Sequence, residues 1–101
     1  MKFSHYHAGE ISFHSHVPLI KIHKAAKALA RLPQIKTLLI RREADHIVMD
    51  IFAVIRGSVC KDKSDFTVET NLWIKTVGKY VNNKSIRSLS ISGQVEVIKN
   101  N

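Results

Sequence analysis

The side chains whose type and spacing most readily suggest chemistry are four histidines near the amino terminus. His5 and His7, and then His14 and His16, make two His-x-His pairs. Alternate residues of an extended strand point to one side, so each pair presents two imidazoles together. Two such strands side by side would offer three or four nitrogens, a donor set suited to zinc, nickel or copper. The competing reading is four solvated histidines on a terminal hairpin.

Other constellations are missing. The sequence has no Gly-rich phosphate loop, no Cys-x-x-Cys, no nucleophile elbow and no close carboxylate pair suggesting acid–base work. His5-Tyr6-His7 is similar to the His-hydrophobe-His pair of rolling-circle nucleases, but that family needs a catalytic tyrosine on a helix, and Tyr80 is placed by helical spacing on a core-facing side. Phe52 alone stands where ferredoxin-like RNA binders carry several stacking rings. A non-enzymatic protein with no required cofactor and no small-molecule substrate is therefore expected.

Charge is the strongest compositional signal. The 101 residues carry a formal +8, and no acidic residue occurs between Glu10 and Glu43. Lys21, Lys24, Lys27, Arg31, Arg41 and Arg42 fall in or at the edge of that interval, as a surface for polyanions or as a solvated face. No apolar run approaches the roughly 18 residues needed to cross a bilayer. The first residues lack the apolar centre of a secretory signal, and the single Cys60 has no intrachain partner, so a cytoplasmic setting is expected.

The elements that must position these residues follow from periodicity. Residues 3–7 and 11–16 alternate with period two around Ala8-Gly9-Glu10, predicting a hairpin or a lead-in followed by one strand. Leu19, Ile22, Ala26 and Leu29 recur at helical spacing, opposite a stripe of Lys21, Lys24, Lys27 and Arg31. Pro33 ends that helix. β-Branched residues on both sides of Glu43-Ala44-Asp45 predict a strand over 35–42 and another over 46–59, in preference to a helix over 33–44. A second helix is expected over 66–81, capped by Ser64 or Asp65 and burying Phe66, Trp73, Ile74, Val77, Tyr80 and Val81, with Val68 and Leu72 on its outer side. A final strand follows from Ile86, kinked or bulged at Gly93. The result is an α+β, ferredoxin-like split β-α-β domain (β-α-β-β-α-β) over residues 17–101, with residues 1–16 as an added strand or hairpin.

From Leu19 onward the order and local wording resemble the cytoplasmic carboxy-terminal domain of cation diffusion facilitator transporters. The matching pieces are Leu32-Pro33-Gln34-Ile35, Leu39-Ile40-Arg41-Arg42, Ile47-Val48-Met49-Asp50-Ile51, Thr67-Val68-Glu69 and the strand from Ile86 to Glu96. The resemblance implies a site for a divalent cation such as zinc, iron or manganese, but Phe52, Leu72, Ser90 and Gln94 stand where metal-binding members place ligands. Asp50 alone keeps an oxygen ligand. It also implies a homodimer, for which Val68 and Leu72 supply apolar surface, and a membrane portion elsewhere in the protein.

The resemblance thus implies a regulatory or dimerisation domain similar to that of a divalent-cation transporter, either alone or as its cytoplasmic part. The alternative is a basic nucleic-acid-binding module using the six cations above against phosphate, with a small ribonuclease toxin third.

Overall fold

The computed structural model describes residues 2–57 and 63–98, with side chains described over 7–54 and 68–91. Four strands and two helices follow one another in the expected sequence: β1 (Lys2–His14), α1 (Leu19–Ala30), β2 (Ile35–Arg42), β3 (His46–Gly57), α2 (Lys63–Val77) and β4 (Ile86–Ile98). The strands form one antiparallel sheet in the order β2-β3-β1-β4, the arrangement of a ferredoxin-like fold.

β1 is where the sequence reading needs its first correction. Ala8-Gly9-Glu10 is not a turn: it runs straight through a single strand of 13 residues. That strand lies between β3 and β4, with Phe3 opposite Gly57 on one side and Val97 on the other. Both edges are hydrogen-bonded along its length, which a hairpin folding back at Gly9 would prevent.

Alternation along β1 divides the sheet into two faces. His7, Gly9, Ile11 and Phe13 are buried on the inner face, where Ile47, Met49, Ile51 and Ala53 of β3 sit directly across from them. Ile22, Ala25 and Leu29 of α1 and Trp73 and Val77 of α2 complete this core. The buried stripe of α1 runs through Ala25 rather than Leu19, which is left 38% exposed.

The ring of Trp73 lies over the backbone of Gly9, so close that a Cβ there would stand 2.4 Å from it. Trp73 Nε1 donates to Glu69 Oε1 at 2.8 Å, and Gln34 Nε2 donates to Glu69 Oε2 at 3.4 Å. A buried indole N–H without its acceptor would cost about 1–3 kcal/mol, so the carboxylate one turn earlier on α2 holds this large ring in place.

Several boundaries also move. α2 ends at Val77, so Tyr80 lies in the following turn and is partly exposed rather than facing the core. Gly93 pairs with His7 without interruption, and the register shift falls between Ser12 and Phe13, where Arg87 is the extra residue of β4. The hairpin over 43–45 is present, closed by the Glu43 N–H donating to the His46 carbonyl at 2.9 Å. Cys60 lies outside the described residues, as do the side chains of Ser64, Asp65 and Phe66. None of the helices among the described residues is long and apolar enough to cross a membrane.

Candidate functional site

Both helices pack on the inner face of the sheet, and the outer face is built from the alternate residues. The register sets them in rows. Thr37, Phe52 and Ala8 stand side by side across β2, β3 and β1; the next row holds Leu39, Asp50, Glu10 and Ser90; the third holds Arg41, Val48, Ser12 and Ser88.

The first two rows line a cavity of about 520 Å³. Leu39 (62% exposed) and Phe52 (38%) form its apolar surfaces, Ala8 leaves room between the strands, and Glu10, Asp50, Thr37 and Ser90 supply oxygens. Its size falls within the range of small-molecule sites.

Arg41 borders the cavity and fixes its carboxylates. Its Nε donates to Asp50 Oδ2 at 2.7 Å, Nη2 donates to Glu10 Oε1 at 3.3 Å, and Nη1 pairs with Glu43. The hydrogen bond to Asp50 is the largest influence raising the guanidinium pKa above its usual value, and Coulombic attraction to all three carboxylates adds to it. Glu10 and Asp50 face each other across β1 and β3, an arrangement of like charges that is unfavourable without the bridging cation. At the far end of the face, His46 Nδ1 donates to Asp45 at 2.5 Å and Arg87 approaches the same carboxylate at 3.4 Å. The hydrogen bond from His46, aided by Arg87, holds Asp45 below the usual carboxylate range.

The residues proposed as metal ligands do not come together. His7 is fully buried on the inner face, and the side chain of His5 lies outside those described. His14 and His16 stack with ring centroids 5.6 Å apart at the other end of β1. Seven residues of strand separate His7 from His14, about 24 Å. Asp50 is on the opposite face from His7, bonded to Arg41. Among the described residues no group of three or more His, Cys, Asp or Glu could hold a metal ion. The physical reason is the continuity of β1, which holds the two pairs apart.

The six cations proposed to meet polyanions do not share one surface either. Lys21, Lys24, Lys27 and Arg31 are exposed along α1, on the helical side of the sheet, whereas Arg41 belongs to the outer face and is held by carboxylates. Arg42 is exposed at the end of β2. On α2, Val68 is 69% exposed and Leu72 is half-buried, so the apolar surface expected there is mostly Val68.

Comparison with known proteins finds the fold and no family. No protein-family model matches the chain, and neither does any curated protein. Among solved structures, PH0061 matches with a TM-score of 0.53 at 15% identity over 94% of this chain; the chain spans 55% of the length of that protein. A provisionally named antibiotic biosynthesis monooxygenase from Chloroflexus aurantiacus J-10-fl matches with a TM-score of 0.51 at 10% identity, covering 97% of both chains. A similarly named protein from Bordetella bronchiseptica has a TM-score of 0.48 at 12% identity, over 92% of this chain and 98% of its own.

These findings correct the resemblance to cation diffusion facilitators. The whole-length structural likeness is to the monooxygenase-named Chloroflexus protein, and the nucleic-acid and ribonuclease alternatives find no support in it. The comparison from Leu19 onward left out β1, which supplies a central strand of the sheet. The pieces that seemed to match, such as Leu39-Ile40-Arg41-Arg42, are alternating strand residues that any split β-α-β sheet requires. With that resemblance go the expectations of metal transport and of a transporter's regulatory domain.

Residues that the sequence reading missed are Glu10, Thr37 and Leu39, together with Arg41 in its actual role. Their signal was the outward alternation of Leu39-x-Arg41 and Asp50-x-Phe52. It becomes legible only once β1 is placed beside β3.

Proposed function

We propose that this chain is a small-molecule-binding domain whose site is the groove on the helix-free face of the sheet. The observation that carries the reading is the cavity of about 520 Å³ between Leu39, Phe52 and the Glu10–Asp50 pair. Small ligands favour concave sites that combine apolar walls with a few placed polar groups, and here both come from rigid strands. The name of the Chloroflexus protein denotes chemistry on small molecules, which lends the reading secondary support.

The test is a fragment screen followed by backbone amide NMR on the full chain. Binding is expected to shift the amides of Ala8, Leu39, Asp50 and Phe52, and Ala8→Phe, which fills the space between the strands, is expected to weaken it at least ten-fold. Hits that perturb only α1 or α2, or an unaffected Ala8→Phe variant, would refute the reading. Mass spectrometry of the same mixtures distinguishes a binder from an enzyme, since turnover would change the mass of the ligand.

A further inference from the structure

The chemistry of the groove points to a particular ligand class, and the argument rests on the binding reading above. The chain as a whole is strongly basic at +8. Its groove is not: among the described residues the lining contains Glu10 and Asp50 and no lysine, arginine or histidine. Arg41, at the border, is shared among Asp50, Glu10 and Glu43. Among the described residues, three carboxylates gather around this one guanidinium, an excess of acidic over basic groups.

Each class of ligand meets this field differently. An anion would be repelled by the facing carboxylates. A neutral apolar molecule would strip water from them without replacing it, which is costly. A bare metal ion finds, among the described residues, only two carboxylates in the lining, too few for a stable site, and no larger ligand group. A protonated amine relieves the like-charge opposition of Glu10 and Asp50 and adds charge-assisted hydrogen bonds. Phe52 lies two residues from Asp50 on the same face, and with Leu39 it offers apolar surface to whatever carries the ammonium. An aromatic ring close to such a site also attracts a cation directly.

We infer that the groove selects an organic cation, a protonated amine borne on a flat apolar body, with Glu10 and Asp50 as its counter-ions and Phe52 and Leu39 as its apolar walls.

Three probes of similar shape test this on the full chain: 2-phenylethylamine, 2-phenylethanol and phenylacetate, each titrated while the amides of residues 8, 39, 50 and 52 are followed. The amine is expected to bind at least ten-fold tighter than the alcohol, with phenylacetate weakest. Glu10→Gln is expected to reduce the amine's advantage several-fold, and Asp50→Asn to reduce it further. Glu10→Gln touches only an exposed carboxylate at 3.3 Å from Arg41, so it remains informative even if Asp50→Asn disturbs folding; the thermal midpoint of each variant is measured alongside.

Equal or tighter binding of the alcohol or phenylacetate in the groove would overturn the cation inference and leave the binding reading standing. No groove shift with any of the three, while the wider fragment screen does find groove ligands, would overturn the inference alone. Failure of the screen as well would remove both. Groove amides that move with protein concentration and not with amine would assign the surface to a second copy of the chain and overturn the inference.

Discussion

Gly9 shows how one residue can fix the position of a helix. Its inner face receives the ring of Trp73, and a methyl group there would meet ring carbon at 2.4 Å and the Ser90 carbonyl oxygen at 3.1 Å. The ring cannot retreat easily, because its Nε1 is tied to Glu69, whose other oxygen accepts from Gln34. Gly9→Ala is therefore expected to destabilise the fold by about 1–3 kcal/mol, the usual range for overpacking, measured by urea denaturation. A loss below about 0.5 kcal/mol would show that Trp73 rests elsewhere. The sequence displayed Gly9 as part of a turn signal, and nothing local separates a turn glycine from one that admits a ring from sixty residues away. Asp50 was legible as an oxygen donor on a strand, but its partner Arg41 was assigned to a basic patch, because strand alternation was not followed across from β2 to β3.

At the scale of elements, periodicity found both α-helices and the three strands from Leu19 onward, though not the short 3-10 turn over Asn83–Ser85, and the hairpin over 43–45 was readable from β-branched residues flanking a polar turn. β1 was half-read, since period-two alternation is the same whether a strand continues or turns. The partner strands decide between the two, and they lie more than thirty residues away. α2 contributes a prediction of its own. Val68 projects from it 69% exposed, and surface substitutions of this kind typically change stability by less than about 0.5 kcal/mol. Val68→Ser is expected to stay within that limit, at every protein concentration. A larger loss, with a thermal midpoint that depends on concentration, would show that a second copy covers this side of α2.

For the molecule as a whole, the sheet separates charge. The cations of α1 lie on its helical side, while Glu10, Asp50 and Glu43 gather on the other side around Arg41. Composition revealed the excess of positive charge but not this division, because it depends on which face each strand residue takes. A formal +8 on 101 residues also implies self-repulsion in the compact state. Raising salt from about 0.01 to 0.15 M shortens the Debye length from about 30 to 8 Å, and the thermal midpoint is expected to rise by a few degrees. A midpoint that falls with salt would mean that the favourable pairs outweigh the repulsion.

The central place of β1 bears on how the chain is made. It is translated first of the four strands, yet its neighbours in the sheet come from residues 46–57 and 86–98. On the ribosome one backbone edge of β1 must wait for residues 46–57 and the other, longer still, for residues 86–98. A nascent chain halted before β4 would hold an apolar strand open to any passing edge, so stalled or truncated synthesis is the point at which this small domain is most exposed to aggregation.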